Sequence, residues 1–400
     1  MMNNYKGAVC VFVLFFSFIT GTFSKTEGRI LPGADCVHEY LPLLKGKRVA
    51  LLVNQTSMVG KVHLLDTLLS MKVAVKKLFV PEHGFRGTAD AGATIQNGTD
   101  ARTGIPIISL YGDNKKPKAA QLSDIDVLVF DLQDVGTRFY TYISTLEYAM
   151  EACAENGKTM IVLDRPNPNG HYVDGPVLEK SQKSFVGMQP VPVVYGMTIG
   201  EYATMLQGEK GFAAAEKLEL TIIHCKNYDH TQLYTLPIAP SPNLKEMNAV
   251  YLYPSLCFFE GTAISVGRGT DKPFQQWGHP ALARKYSYFF LPKTVQGASK
   301  PLYEHQKCYG EKLQSPLVGK AKAPKDSLNL SYLLNAYQAY SEKNEERFFN
   351  NFFDKLAGTT RLREQILNGM DEAAIRQSWQ ADLSAFKKIR KKYLLYKDFE

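Results

Sequence analysis

The chain has 400 residues, a formal net charge of +8, and a composition that is 45% hydrophobic, 12% aromatic and 22% charged. Its length exceeds the size at which one hydrophobic core stops growing, which argues against a single small domain and suggests two domains. The mild basic excess suits an anionic substrate, and since the sequence has no nucleic-acid recognition motif, no nucleic-acid partner is expected.

The first 24 residues have the pattern of an export signal. Lys6 is followed by an apolar run over 8–19 and by small residues at Thr22 and Ser24 that suit peptidase cleavage. The run is short for a spanning helix, although an uncleaved anchor is the alternative. We expect a signal peptide over 1–24, export to the periplasm or the medium, and no stable membrane insertion after cleavage.

Short β-branched runs alternate with longer amphipathic stretches through the first half of the chain. This alternation is typical of parallel strands joined by crossover helices, and mostly apolar runs indicate strands covered on both faces. The predicted strands are 48–53, 73–80, 105–110, 127–131, 160–164, 191–194 and 218–224. The predicted helices are 63–71, 141–156 and 198–207. The pattern therefore predicts an α/β fold with a Rossmann-like, mostly parallel sheet.

The turn after the first predicted strand has no nucleotide-binding signature. Residues 54–60 lack the glycine spacing that lets a pyrophosphate approach the backbone, and no Walker-type run occurs in the chain. His63, His83, His171 and His224 have no zinc-binding spacing. We therefore expect neither a cofactor nor a metal site.

A proline-rich connection over 237–248 marks a predicted domain boundary. Strand-like pieces at 251–259 and 263–266 follow it, and helical periodicity continues to the end of the chain after a proline-broken middle. We predict a catalytic Rossmann-like domain over 25–248 and a smaller α+β C-terminal domain over 249–400 that completes a cleft.

Polar residues follow several predicted strands at the edge where ligands of an open parallel sheet bind. A lone carboxylate there is usually a cap or a turn residue. Segment 81–87, PEHGFRG, is denser, because it adds a histidine, an arginine and two glycines to Glu82. The polar residues at these ends are Glu82, Asp131, Asp134, Asp164, Arg165 and Asn167.

A carboxylic acid can protonate the leaving oxygen of a glycosidic bond, and Glu82 is the candidate acid. His83 either orients that acid or is an ordinary turn residue. A second group must attack, stabilise the developing cation or position water, unless an N-acetylated sugar supplies its own acetamido oxygen. The candidates for this second group are Asp131, Asp134, Asp164 and, from the second domain, Glu260.

Four arginines are candidates for gripping a substrate carboxylate, because the guanidinium fork donates two parallel bonds. Each could equally form a structural ion pair. They are Arg86, Arg138, Arg165 and Arg268. Tyr140 stands in an aromatic segment at a strand-to-helix junction and is either a sugar platform or a packing residue. The glycines and charges of 258–271 indicate a loop that closes over the cleft.

Other hydrolytic chemistries have no support in the sequence. No GxSxG elbow for a serine nucleophile occurs, and Cys153 and Cys225 lie in apolar surroundings without the positive charge that a thiolate needs. Five cysteines remain after cleavage, which argues against a disulfide scaffold, although Cys36 could pair with Cys308.

Four segments, in order over nearly the whole mature chain, resemble the NamZ-type exo-β-N-acetylmuramidases. They are PEHGFRG at 81–87, FDLQDVGTRFYTY at 130–142, LDRPNPNG at 163–170 and FFEGTAISVGRGTDKPF at 258–274. The resemblance implies a Rossmann-like domain, a smaller C-terminal domain and an active site in the cleft between them. It also implies release of β-1,4-linked N-acetylmuramic acid from non-reducing ends of peptidoglycan fragments, with Glu82 as the catalytic residue.

The sequence therefore predicts an exported glycosidase that acts on peptidoglycan-derived glycan or muropeptide. One rival is an exported protein that binds a sugar or muropeptide without catalysis, and another is an ester or amide hydrolase on the same scaffold. The residues predicted for catalysis are Glu82, His83, Asp131, Asp164 and Glu260. Those predicted for substrate binding are Arg86, Asp134, Arg138, Tyr140, Arg165, Asn167 and Arg268.

Overall fold

The fold is taken from a computed structural model of the chain. The structure describes residues 28–82, 84–85, 97–323, 326–344 and 348–400. The predicted signal peptide, His83 and Arg86 lie outside these ranges. Among the described helices, none has the length and apolar character needed to cross a membrane.

The strands form one large sheet, one small sheet and a short hairpin. In chain order they are β1 Arg48–Val53, β2 Met58–Val59, β3 Val62–His63, β4 Ala74–Val80, β5 Gly98–Thr99, β6 Pro106–Ser109, β7 Val127–Asp131, β8 Thr159–Leu163, β9 Leu220–Ile223, β10 Gln276–His279, β11 Phe289–Phe290 and β12 Cys308–Lys312. The large sheet has seven strands in the order β5-β6-β4-β1-β7-β8-β9. Its strands run parallel except for the short edge strand β5. The predicted mostly parallel sheet is confirmed.

Helices cover the sheet and build most of the C-terminal region. They are α1 Val37–Leu44, α2 Leu64–Ser70, α3 Ala119–Leu122, α4 Tyr142–Glu155, α5 Ile199–Gly208, α6 Met247–Leu256, α7 Ser331–Asn344, α8 Phe353–Ala357, α9 Arg361–Leu367, α10 Glu372–Ser378 and α11 Gln380–Arg390. Helix α5, predicted over 198–207, begins with a capping box, since Thr198 accepts from the Glu201 amide and the Glu201 carboxylate accepts from the Thr198 amide.

Both faces of the large sheet are buried, which explains why its strands are apolar throughout. Along β1, Val49, Leu51 and Val53 point into a core with α1 and α2, whereas Ala50 and Leu52 point into the opposite core. The second core contains α4 and α5 and continues without a break into the C-terminal region. The sheet therefore has two apolar faces, and its polar chemistry is confined to strand ends.

The predicted strand at 191–194 is wrong, because Val194 makes only isolated bridges to Thr137 and Asp174. Pro190 and Pro192 each lack the amide hydrogen that a strand ladder requires, so this segment cannot pair along its length. The segment instead crosses the end of the sheet as a loop with buried valines.

The smaller C-terminal region contains the antiparallel sheet β10-β12-β11 together with helices α6 to α11, as an α+β domain requires. The strand predicted at 251–259 is wrong: this segment forms most of α6 and a 3₁₀ turn over Cys257–Gly261. A helix buried on nearly all sides has no amphipathic period, so its aromatic and β-branched residues gave it the composition of a strand. The strand predicted at 263–266 is also wrong, since Ser265 makes only an isolated bridge to Gly278.

The two halves are joined by contacts that sequence patterns did not indicate. Arg138 is fully buried and donates to four backbone carbonyls, two from each half, at 2.8–2.9 Å. The C-terminal tail returns to the large sheet, where the Tyr396 hydroxyl donates to Asp164 at 2.6 Å. The cysteines of the described chain are free thiols, so Cys36 and Cys308 do not pair in this structure.

Candidate active site

A cavity of about 970 Å³ lies where strands β4, β6 and β7 end and the C-terminal region faces them. From the first half, Glu82, Tyr111 and Thr141 line it, and from the second half Glu260 and Arg268 do so. Loops and helix N-termini meet at this edge because the strands run parallel, which is why an open α/β sheet binds its ligands here. The structure therefore brings together Glu82 and Glu260, which are distant in sequence.

Glu82 stands two residues beyond the last residue of β4 and is held by neighbouring hydroxyl groups. Thr141, the N-cap residue of α4, donates from Oγ1 to Glu82 Oε2 at 3.1 Å. The Tyr111 hydroxyl is also hydrogen-bonded to Glu82; burial first, and then the charge of Glu82, raises the pKa of Tyr111. Tyr111 therefore stays protonated and acts as a donor. Glu82 lines the pocket, and its catalytic role stays a prediction.

Glu260 lies in the 3₁₀ turn after α6 and is oriented by Arg268. The Arg268 guanidinium donates from Nε to Glu260 Oε1 at 2.6 Å and lies 5.0 Å from the centre of the Phe274 ring. Burial alone would lower the pKa of Arg268, but the adjacent Glu260 carboxylate holds it above its usual value. Arg268 therefore orients Glu260, and its charge is paired with that carboxylate within the protein.

Cys257 lines the same pocket, and its sulfur lies 3.7 Å from Glu260 Oε2. Burial raises the pKa of this thiol well above its usual value, and the charge of Glu260 raises it further. A thiol in such surroundings stays protonated and is a poor nucleophile. The geometry of the pocket therefore gives no support to thiolate chemistry.

Tyr140 belongs to the pocket wall and is packed edge-on among other rings. Its ring centre lies 4.8 Å from that of Tyr142 and 6.0 Å from that of Tyr253, and its hydroxyl donates to the Pro240 carbonyl at 2.9 Å. Only 7% of the residue is exposed. Tyr140 therefore forms part of the cavity wall, where its ring packs against those of Tyr142 and Tyr253.

Asp131 and Arg165 form an ion pair beneath the site. Arg165 donates from Nε to Oδ1 at 2.6 Å and from its terminal nitrogen to Oδ2 at 2.9 Å. Both side chains are buried and neither lines the cavity. Because each charge is satisfied by the other, the predicted catalysis by Asp131 and substrate binding by Arg165 stay predictions that the cavity lining does not support.

The carboxylate of Asp164 also accepts hydrogen bonds from other parts of the protein. It accepts from the hydroxyls of Tyr396 at 2.6 Å and Thr198 at 2.7 Å, and from the amide of Gly200 at 2.8 Å. Burial raises its pKa to about 6. Asp164 caps α5, anchors the C-terminal tail and does not line the cavity, so its predicted catalytic role stays a prediction without support from the pocket.

Three residues predicted to bind substrate are structural for the same reason. Asp134 accepts from the amide of Gly136 at 2.7 Å and from the Tyr195 hydroxyl, and burial raises its pKa to about 6. Asn167 donates to the carbonyl of Met197 at 2.8 Å. Arg138 joins the two halves, as described above. None of these three side chains lines the cavity, so their predicted contact with substrate has no support from the pocket.

Several pocket residues were missed by the sequence interpretation, among them Tyr111, Lys115 and Phe185. Tyr111 follows β6, which pairs with β4, so the strand-end rule could have found it. Lys115 and Phe185 lie in loops that carry neither periodicity nor a motif. No pattern in a single sequence indicates that these two loops meet in space.

Comparison with known proteins gives matches over most of the chain. The N-terminal model of the family described as exo-β-N-acetylmuramidase NamZ matches residues 49–248, and the C-terminal model matches 251–396. The peptidoglycan β-N-acetylmuramidase NamZ of Bacillus subtilis (strain 168) is 41% identical over 390 residues, which cover 92% of each chain.

Two crystal structures of DUF1343 family proteins from Bacteroides fragilis NCTC 9343 have the same fold. One aligns with a TM-score of 0.83 at 45% identity and covers 93% of this chain and all of the other. The second aligns with a TM-score of 0.77 at 30% identity and covers 92% of this chain and 99% of the other. The likeness therefore extends over the α/β sheet and the smaller C-terminal region alike.

Proposed function

The chain belongs to the NamZ family of exo-β-N-acetylmuramidases, and we propose that it releases β-1,4-linked N-acetylmuramic acid from the non-reducing ends of peptidoglycan fragments. The observation that carries this proposal is the pocket that Glu82 lines from the first half of the chain and Glu260 lines from the second. Most glycosidases hydrolyse the glycosidic bond with two carboxyl groups that line one cavity.

In this proposal Glu82 is the general acid. It transfers its proton to the bridging oxygen as the bond from that oxygen to the anomeric carbon breaks, so that the leaving sugar departs as a neutral hydroxyl. Tyr111 and Thr141 fix the carboxyl group at the wall, which keeps the proton in line with the oxygen. Tyr111 and Thr141 act through Glu82 and are therefore positioning residues.

Glu260 would act on the sugar from the second half of the chain. Its carboxylate would stabilise the positive charge that develops on the sugar ring as the bond breaks. Water then bonds to the anomeric carbon and loses a proton to a carboxylate of the pocket, which completes the hydrolysis. Arg268 holds Oε1, so one oxygen of Glu260 is fixed and the carboxylate keeps a single orientation. Arg268 contributes to catalysis by orienting Glu260.

The test uses a chromogenic β-N-acetylmuraminide. We expect turnover by the wild type, a loss of at least about 1,000-fold in kcat for Glu82→Gln, and a loss of about 100-fold or more for Glu260→Gln. Glu209→Gln is the matched control, because Glu209 pairs with Lys392 on the surface away from the pocket. It should retain wild-type turnover.

Two results would contradict the proposal. Binding of the sugar by the wild type without turnover would favour an exported binding protein. Turnover of esters or amides, with the glycoside left intact, would favour the other hydrolase class.

We also propose that the protein is exported after cleavage near residue 24. The support is the charged start, apolar run and small residues of 1–24, together with a substrate that lies outside the cytoplasm. Cell fractionation followed by mass spectrometry should find a mature N-terminus close to Lys25 in the periplasm or the medium. An uncleaved chain retained in the cytoplasm would contradict export.

A further inference from the structure

Three of the four arginines predicted to bind a substrate carboxylate bind other groups of the protein instead. The fourth, Arg86, lies outside the described residues. Arg138 binds backbone carbonyls, Arg165 binds Asp131 and Arg268 binds Glu260. The remaining described cations of the pocket are Lys115 and Lys300. Neither makes an ion pair with another described residue, so each has its charge available to a ligand.

Lys115 is held in place by an aromatic ring. Its ammonium group lies 4.9 Å from the centre of the Phe185 ring, which in turn stacks on Tyr148 of α4 with ring centres 6.2 Å apart and planes inclined by 14°. A cation–π contact restricts the flexible lysine side chain without neutralising its charge. Lys115 therefore has less conformational entropy to lose when it binds an anion.

The same ring connects Lys115 with the proposed catalytic acid. The centre of Phe185 lies 6.2 Å from that of Tyr111, and the Tyr111 hydroxyl is bonded to Glu82. Lys115, Phe185, Tyr111 and Glu82 thus form one continuous wall of the cavity. Lys300, in contrast, is exposed on the loop of the opposite wall.

We propose that Lys115 is the carboxylate subsite of this pocket and binds the acid group of the lactyl ether on the terminal sugar. The inference rests on the proposed glycosidase function and makes Lys115 the residue that distinguishes N-acetylmuramic acid from N-acetylglucosamine. An ammonium group recognises the carboxylate as a point charge and donates up to three hydrogen bonds to it. The contact forms in the bound substrate and persists in the transition state, so it acts mainly on KM.

The experiment compares three glycosides with one chromophore: the β-N-acetylmuraminide, its lactyl amide and the β-N-acetylglucosaminide. For the wild type, kcat/KM should fall about 10- to 100-fold from the acid to the amide, as expected for loss of a charge-assisted contact. Lys115→Gln should show the same fall on the acid, mainly through KM, and should match the wild type on the amide. Lys116→Gln is the matched control, because Lys116 pairs with Glu151 and Glu155 on α4.

Three results would overturn the assignment. In the first, Lys115→Gln keeps the preference for the acid over the amide. In the second, its kcat/KM falls equally on the acid and the amide, which would mean a structural role. Loss of the preference in Lys300→Gln alone would place the subsite on the opposite wall.

If the wild type cleaves none of the three glycosides, the proposed function fails, but the subsite can still be tested. Calorimetry should then show that free N-acetylmuramic acid binds the wild type about 10- to 100-fold more tightly than it binds Lys115→Gln. N-acetylglucosamine should bind both proteins equally. Equal binding of N-acetylmuramic acid to the two proteins would overturn the subsite.

Discussion

The hydroxyl group of Thr141 lies 3.1 Å from Oε2 of Glu82. It connects the start of α4, which follows β7, with the loop that follows β4. Because β4 and β7 flank the central strand β1, segments that follow both of its neighbours hold one carboxyl group. The proposed acid stands in a loop, and this hydrogen bond ties that loop to the rigid start of a buried helix.

Replacing this hydroxyl should lower activity without unfolding the protein. Thr141→Val keeps the shape of the side chain but removes one hydrogen bond to Glu82, so kcat/KM should fall about tenfold, corresponding to about 1.4 kcal/mol. The measurement is turnover of the chromogenic muraminide, with the melting temperature as a check on folding. Thr204→Val is the control, since Thr204 bonds only to its own helix at Gly200. Equal activity in the two variants would show that Thr141 does not position the acid.

Arg268 and Glu260 should act as one unit. Arg268→Met is expected to reduce kcat about 10- to 100-fold, because the Glu260 carboxylate loses its orienting donor. In the double variant with Glu260→Gln, activity should be no lower than in Glu260→Gln alone. Multiplicative losses in a double-mutant cycle would mean that Arg268 contacts the substrate independently.

Arg138 should be needed for stability. In Arg138→Met, four buried carbonyls lose their donor, and the free energy of unfolding should fall by about 3–5 kcal/mol. Arg361→Met, which removes an exposed arginine paired with Glu179 and Asp382, should change it by at most about 1 kcal/mol. Chemical denaturation measures both values. An Arg138 variant as stable as the Arg361 variant would refute the view that this residue joins the two halves.

Glu147 should make the stability of the protein depend on pH. Burial raises its pKa from 4.5 to about 7, against the opposing hydrogen bond from Gln189 and the charge of Lys183. The folded protein therefore holds a proton that the unfolded chain releases between pH 4.5 and 7, and the free energy of unfolding falls as pH rises through this window. The full difference corresponds to about 3 kcal/mol.

The variant Glu147→Gln isolates this effect from other carboxyl groups. A glutamine side chain has no proton to lose, so relative to the wild type the variant should gain about 3 kcal/mol of stability between pH 4 and pH 8. Denaturant unfolding of both proteins across this range gives the difference directly. A difference that stays constant with pH would show that Glu147 is ionised in the folded protein at acid pH as well.

The parallel sheet could be predicted from sequence because its strands are buried on both faces and therefore have long apolar runs. Helix α5 could be predicted because its capping residues, Thr198 and Glu201, are local in sequence. Helix α6 was mistaken for a strand because burial on nearly every side removes the helical period.

The site was only partly predictable. Glu82 was singled out because its segment is dense in polar groups, whereas Glu260 was only one of four candidates for the second group. Asp131 and Asp164 occupy equivalent strand ends, but their roles depend on Arg165 and Tyr396, which approach from other parts of the chain. A sequence shows which residues end a strand, whereas their partners are fixed only by the tertiary fold.

The contacts of the C-terminal tail affect when the sheet domain can finish folding during synthesis. Asp164 belongs to the first half of the chain, yet it accepts a hydrogen bond from Tyr396, which is 232 residues further on. The amides of Leu395 and Tyr396 likewise reach the buried carboxylate of Glu201. Although domains commonly fold from the N-terminus as they emerge, the buried acids of this sheet domain gain these partners only after residues 395 and 396 have been made. A truncation that removes these two residues would therefore damage the part of the chain that is made first.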